Sequence, residues 1–344
     1  MIDIKLIREN AAAIEARLKT KEADISLDPI LKLDAGLRET KTKVEELKSE
    51  RNGLSKQIGE KKRAGQDASS LMDQVTQIGD QITALDETLI KLDTDFHAAI
   101  SNLPNLPDSE APISPDPNDN VVVRTHGTPP EFDFAPKHHV EPYEKLQLCD
   151  FEKSAKITGS GWPLYRGNGA RLEWALLNFM LDYHVKNGFE MILPPLLARP
   201  DIMYGSGQLP KFGHQLYKIE DDLYLNPTSE VILNGLHADS ILSPESLPQK
   251  FVAYTPCFRR EAGAAGAGER GLIRMHQFNK VEMFCFAHPD NSNDIFNEMV
   301  AHAESLLQTL GLHYRVMDLV TGDLSFGAAR CYDIEVWLPG QNRY

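Results

Sequence analysis

Residues 255–284, TPCFRREAGAAGAGERGLIRMHQFNKVEMF, hold the densest set of groups able to do chemistry. Arg259, Arg260 and Glu261 close one strand-like run, and Arg274, Phe278 and Glu282 lie on the next. Between them is a loop with Gly263, Gly266, Gly268 and Gly271. A planar guanidinium matches a phosphate or carboxylate through paired hydrogen bonds. A phenylalanine ring can stack on a base, and carboxylates can accept from an amino group. Such a set would suit a site where a nucleotide meets an amino acid, although a salt-bridged surface hairpin would have the same composition. The loop lacks the GxxxxGK[ST] pattern of a P-loop and the strand–GxGxxG–helix context of a dinucleotide fold.

Two strands must present these groups, KFVAYTPCFRRE and HQFNKVEMFCFA, joined by the Gly-rich loop as an antiparallel hairpin. Upstream, ARLEWALLNFMLDYHVKNG predicts a buried helix closed by Gly188, and FEMILPPLL predicts a strand ended by prolines. Downstream, NDIFNEMVAHAESLLQTLG predicts an amphipathic helix ending at Gly311, and CYDIEVWLPGQNRY a strand.

Residues 1–103 are different. They contain no Trp or Tyr, one Phe (Phe96) and one Pro (Pro29), too little for an ordinary globular core. They carry heptad order instead. Ile30, Leu37, Val44, Arg51 and Ile58 lie seven apart, with Leu33, Thr40, Leu47 and Leu54 between them. Leu71, Val75, Ile78, Ile82, Leu85, Leu89, Leu92 and Phe96 make a cleaner seam. The prediction is an antiparallel two-helix coiled-coil arm of ~50 Å, capped at its start by Asp28 with Pro29 at the first helical position and re-entered through Asp67. A separate short helix precedes it, with Ile7, Ala11, Ile14 and Leu18 on one face. Residues 104–120, with five prolines, read as a linker, and 121–344 as a second domain large enough for a full core.

The 344 residues carry 36 basic and 50 acidic side chains, a net charge of −14. Binding nucleic acid through bulk charge is excluded, so any such contact must be local. The arm tip offers one candidate, Lys56, Lys61, Lys62 and Arg63 against Glu60, although a merely solvated coiled-coil end would carry the same charges. Cys149, Cys257, Cys285 and Cys331 form neither a CxxC pair nor a zinc spacing and are expected to be free thiols. Cys257 and Cys331 are expected in the core rather than as nucleophiles. His138-His139 are expected to be surface imidazoles, and His276 a structural hydrogen-bonding residue. Gly205-Ser206-Gly207 and Gly213, beside Tyr204, mark a turn or lid. The N-terminus MIDIKLIREN mixes charged and apolar residues, unlike a secretory signal, and no run suits a membrane span, so the expected location is cytoplasmic with no membrane partner.

These motifs together resemble the seryl-tRNA synthetases of bacterial type, a family of class II aminoacyl-tRNA synthetases. The likeness runs from DIKLIREN through the heptad arm to GARLEWALLNFMLDYHVKNGFEMILPPLL, which resembles class II motif 1. NPTSEV resembles the family's T-x-E serine loop, and CFRREAGAAGAGERGLIRMHQFNKVEMF resembles motif 2. The resemblance implies an α+β fold: the coiled-coil arm, then an antiparallel-sheet catalytic domain. It implies a serine–tRNA ligase that forms seryl-adenylate from L-serine and ATP with Mg2+, then charges tRNA(Ser) and, by extension, tRNA(Sec). It places Thr228, Ser229, Glu230, Arg259 and Glu282 on serine. Arg259, Arg260, Glu261, Arg274, Met275 and Phe278 fall on ATP, although Arg260 stands where the family more often has a small residue. The tip (Lys56, Lys61, Lys62, Arg63) falls on the long variable arm of the tRNA, and Pro195 at a homodimer interface. The family continues with a Glu-x-x-Ser segment and motif 3, so a chain ending at Tyr344 is expected to be incomplete. It would bind tRNA while activating serine poorly, and a non-catalytic tRNA-binding role is the competing expectation.

Overall fold

The computed structural model describes residues 2–261 and 271–344. Gly263, Gly266 and Gly268 of the loop lie outside the described residues. The chain forms two compact units. One comprises residues up to 109 with 113–115 and 321–329, and the other the remainder.

In the first unit, α1 (Ile4–Lys19) precedes the long antiparallel pair α2 (Asp28–Arg63) and α3 (Ser69–Ser101). The pair forms because both heptad seams face each other. Val44, Ile78 and Ile82 are buried, flanked by Leu47, Leu54, Leu85 and Leu89. At the base, Ile7, Ile14 and Leu18 of α1 join Leu27, Ile30 and Ile100 in a second cluster. Asp34, outside the heptad positions, is buried and paired with Arg8 through two hydrogen bonds of 2.8 and 2.7 Å, tying α1 to the arm. The helix starts differ from expectation. Leu27, not Asp28, is the α2 cap residue and makes no side-chain cap bond, so Pro29 falls one position inside the first turn. Asp67 accepts from the Ser69 N–H at 3.0 Å but lies one residue before Ala68, the cap residue of α3. The arm turns at Gly65 (φ +68°), where Gln66 N–H reaches Lys61 O and Gly65 N–H reaches Lys62 O. That paired closure needs a left-handed residue, which glycine supplies without strain. Part of the proline-rich segment is fastened rather than loose: Asn105 and Asp108 N–H donate to Phe326 O and Ala329 O, both at 2.8 Å.

The second unit runs β1 (Val121–His126), α4 (Val140–Lys145), α5 (Phe151–Thr158), α6 (Asn168–Lys186), β2 (Glu190–Ile192), β3 (Leu197–Ala198), α7 (Pro200–Gly205), β4 (Tyr224–Leu225), α8 (Ser229–Asn234), β5 (Gln249–Phe258), β6 (Gln277–Phe286), α9 (Ser292–Thr309), β7 (Tyr314–Asp318) and β8 (Tyr332–Val336). β5 and β6 form the expected hairpin, with Ala253 opposite Glu282, Thr255 opposite Lys280 and Cys257 opposite Phe278. β2 joins β5 in parallel, the one departure from antiparallel pairing among the described strands. β1, β7 and β8 form a separate antiparallel sheet.

Strand alternation gives the hairpin two faces. Val252 packs with Leu181 of α6 and with Phe189, Val281 and Met283. The opposite face carries Phe251, Ala253, Phe284 and Phe286 against Leu233 of α8. The functional groups continue this second face. α6, expected to be buried, is buried on one side only: Leu177, Leu181 and His184 are buried, but Leu172, Trp174 and Leu176 are 56, 55 and 40% exposed. A helix lying on one sheet can cover only one stripe, and its remaining apolar side faces outward. Gly188 (φ +88°) ends it as expected.

Cys149 and Cys257 are buried and Cys285 and Cys331 half-buried, all as free thiols. His138 and His139 are half-buried rather than on the surface, and His139 Nε2 accepts from the Leu272 N–H at 3.2 Å. No helix among the described residues is long and apolar enough to cross a membrane.

Where α6 meets α9, His184 Nδ1 and His302 Nε2 share a 2.9 Å hydrogen bond. Burial, then the neighbouring His302, pushes the His184 pKa down from 6.5 to about 4. The folded state thus binds fewer protons than the unfolded chain between those values, and stability is lost as pH falls through that window. We expect a slope approaching ~1.4 kcal/mol per pH unit from this group, measured as urea midpoints at pH 7 and pH 5. His184→Gln should flatten the slope, and an unchanged slope would exclude His184 as its source.

Candidate active site

Phe278, Lys280 and Glu282 alternate along β6 and share its α8 face. Opposite them stand Cys257, Thr255 and Ala253, all fully buried and small, so the floor lies low under the longer β6 side chains.

Past the end of β5, the Arg259 N–H donates to His276 O at 2.9 Å and extends the ladder by one rung. Its guanidinium lies 5.1 Å from the Phe278 ring centre, and its Nε donates to Pro227 O at 3.2 Å. This cation–π pair holds the cation above the row. Arg260 is exposed, and its backbone N–H is spent on Gln215 O at 2.9 Å. Its charge opposes the rise that burial imposes on the Tyr217 hydroxyl pKa. Glu261 adopts φ +45°, an uncommon conformation for a residue with a side chain, and its carboxylate accepts from Arg274 Nη1 at 3.1 Å. Arg274 is largely exposed and Met275 half-buried beside it.

The loop before α8 is riveted to β5. Asn226 Nδ2 donates to Thr255 Oγ1 at 2.8 Å, and its Oδ1 accepts from the Thr228 N–H at 3.3 Å. Ser229 Oγ is 2.7 Å from Thr255 Oγ1. Thr228 has extended backbone at the α8 cap position, but its hydroxyl does not cap the helix. It donates to Glu282 Oε2 at 2.7 Å and accepts from Lys280 Nζ at 2.7 Å. Lys280 Nζ also pairs with Glu282 Oε2. Glu230 keeps access to solvent, yet desolvation by the protein around it, then the Glu282 carboxylate, raises its pKa.

His276 is structural, as expected. Its N–H donates to Gly161 O at 2.8 Å, its Nδ1 lies 3.2 Å from Arg259 O, and its ring stacks on Trp162. A Cβ on Gly161 would sit 2.7 Å from that ring, so only glycine fits there. The Cys257 thiol pKa is raised by burial, the opposite of an activated nucleophile.

Thr228, Arg259, Phe278 and Glu282 thus come together, with Glu230 beside them. Ser229 turns away onto Thr255. Glu261 pairs with Arg274 in the turn before β6, and Arg260 points outward. Two contributors escaped the sequence reading: Lys280, and the Asn226–Thr255 brace. Lys280 could have been found from its spacing, two residues from both Phe278 and Glu282 on one strand. The Asn226–Thr255 brace had no local signal. Pro195 follows β2 and is exposed, and Lys56, Lys61, Lys62 and Arg63 are exposed at the end of α2.

The fold has counterparts among known proteins. Residues 1–107 match the model of the seryl-tRNA synthetase N-terminal domain, and residues 216–344 that of the class II tRNA synthetase core domain for G, H, P, S and T. A serine–tRNA ligase of Chlamydia abortus is 49% identical over all of this chain and 82% of its own length. The structure of a Pyrococcus horikoshii seryl-tRNA synthetase complexed with ATP superposes with a TM-score of 0.92 at 35% identity, covering 100% of this chain and 82% of that one. A cytoplasmic serine–tRNA ligase of Naegleria fowleri, in complex with AMP, gives 0.86 at 27% identity over 99% and 82%. With family models matching residues 1–107 and 216–344, and a relative 49% identical over the whole of it, the chain belongs to the seryl-tRNA synthetase family, the serine–tRNA ligases.

Proposed function

We propose that this chain activates L-serine with ATP in the pocket between the Thr228 loop and the β5–β6 hairpin. The observation that carries the reading is the 2.7 Å bond from Thr228 to Glu282, with the Arg259–Phe278 pair farther along the same strand face. Glu282 and Thr228 present a carboxylate and a hydroxyl to the serine ammonium and hydroxyl. Glu230 adds negative potential, and Ser229 holds the loop. Phe278 offers its ring to adenine, with Met275 alongside. Arg259 serves the α-phosphate and the serine carboxylate, while the Glu261–Arg274 pair flanks the nucleotide and Arg260 adds a cation at the rim.

The serine carboxylate attacks the α-phosphorus of ATP and pyrophosphate leaves. No proton need be transferred, so positioning and cation stabilisation of the developing charge supply the rate. Among the described residues no group of three His, Cys, Asp or Glu side chains could hold a metal ion. Mg2+ would arrive on the phosphates of ATP.

The adenylate then passes its seryl group to tRNA(Ser), and tRNA(Sec) is a further candidate acceptor. In this reading residues 1–103 bind the tRNA, 104–120 connect, and 121–344 catalyse, with Lys56, Lys61, Lys62 and Arg63 on the tRNA backbone. A homodimer would cover Pro195 and the outward Leu172, Trp174 and Leu176 of α6.

The test is serine-dependent exchange of labelled pyrophosphate into ATP. We expect exchange with serine and none with alanine, because alanine leaves buried hydrogen-bonding groups unpaired. Glu282→Gln should raise the serine KM by roughly 100-fold, through loss of a charge-assisted bond, with little change in the KM for ATP. Exchange that alanine supports equally, or a Glu282→Gln enzyme with unchanged serine KM, would refute the assignment.

A further inference from the structure

Lys280 has no role in the reading above, yet it occupies the centre of the pocket. Its ammonium binds Thr228 Oγ1 at 2.7 Å and pairs with Glu282 Oε2. Those are the two acceptors that the serine ammonium would use. Two ammonium groups cannot share one hydroxyl and one carboxylate oxygen without lying within a few ångströms of each other, where like charges repel. Serine must therefore displace Lys280.

The strand decides where the displaced cation goes. Along one face of β6, Phe278, Lys280 and Glu282 are spaced ~7 Å apart. Phe278, with Arg259 over its ring, marks the nucleotide end of the row, and Glu282 the serine end. Lys280 springs from between them, the place where the serine carboxylate meets the α-phosphate. Thr255, directly opposite, cannot hold the lysine, because its hydroxyl is already engaged by Asn226 and Ser229. The Lys280 side chain keeps 31% of its surface exposed, so its four-carbon stem has room to move.

We infer that Lys280 is a displaceable catalytic cation. In the empty pocket it neutralises Glu282 and stands in for the substrate amine. Once the serine ammonium takes over that carboxylate, Lys280 swings toward the reacting atoms. There one serine carboxylate oxygen forms the bond to the α-phosphorus, and the bond from the α-phosphorus to the bridging oxygen breaks. Its electron pair leaves with pyrophosphate. Lys280 stays protonated throughout and supplies only charge. This inference rests on the serine-activation reading and adds a residue and a sequence of events to it.

Lys280→Met and Lys280→Arg separate the two parts. In Lys280→Met, the exchange kcat should fall about 100-fold, the usual loss for one electrostatic contact to a transition state, without a rise in the serine KM. Serinamide, which carries the ammonium and hydroxyl but no carboxylate to react, should inhibit that variant about fivefold more tightly, since it no longer evicts a half-exposed ion pair. Lys280→Arg should recover part of kcat. A Lys280→Met kcat within twofold of wild type would overturn the inference. So would an unchanged kcat with the serine KM and serinamide inhibition constant both raised, the signature of a fixed binding contact. Serinamide titration by calorimetry checks that the Met variant keeps a formed pocket. Wild-type protein without any serine-dependent exchange would bring down the activation reading and this inference together. Wild-type exchange matched by Lys280→Met would bring down this inference alone.

Discussion

Arg259→Ala should lower serine-dependent pyrophosphate exchange by about a thousandfold, the upper range for removing a preorganised charge aimed at a transition state. The arginine is held in three ways: its backbone extends the β5 ladder to His276, its Nε donates to Pro227 O, and its guanidinium rests on Phe278. The backbone contact survives truncation, so the hairpin register should persist and the loss should be one of charge. Arg259→Lys should recover only part of the activity, because an ammonium cannot reproduce a planar, bidentate, ring-stacked group. Exchange kinetics with varied serine and ATP are the measurement, and an alanine variant within tenfold of wild type would remove Arg259 from the reacting centre.

At the arm tip, Lys61→Glu, Lys62→Glu and Arg63→Glu together should weaken tRNA binding by at least ~100-fold at moderate salt. They should also flatten the slope of log affinity against log salt by two to three, roughly one per lost phosphate contact. The three side chains are exposed in the last turn of α2, where cations also suit the helix C-terminus. Reversing them costs that helix end ~1 kcal/mol or less per charge. That is too little to melt an arm held by Val44, Ile78 and Ile82. Serine-dependent exchange without tRNA should be unchanged, because the tip and the pocket belong to different units. Filter binding across a salt series decides it, and an unaltered affinity would place the tRNA elsewhere.

Much of the architecture was legible because the signals are local. A heptad seam needs only a residue and its neighbours three and four places away, and the seams are buried at Ile30, Leu37, Val44, Ile78 and Ile82 and half-buried at the other heptad positions. The β5–β6 hairpin followed from two alternating runs around a Gly-rich loop, and Gly188 and Gly311 end their helices with positive φ as their positions suggested. The T-x-E loop was legible only through family resemblance, since nothing in three polar residues says what they face.

The sequence by itself determined the two-helix arm, the hairpin and the family, because periodicity, turn residues and long ordered motifs are properties of the chain read in line. Tertiary structure decided which side chains share the pocket. Lys280 meets Thr228 from 52 positions away, Asn226 braces Thr255 across 29, and Asp34 is buried by Arg8 from a different helix. It also turned Ser229 onto Thr255, set β2 parallel to β5, and left one side of α6 uncovered. Each of these depends on strand register and on which face another element covers, and those are fixed only when distant segments pack together.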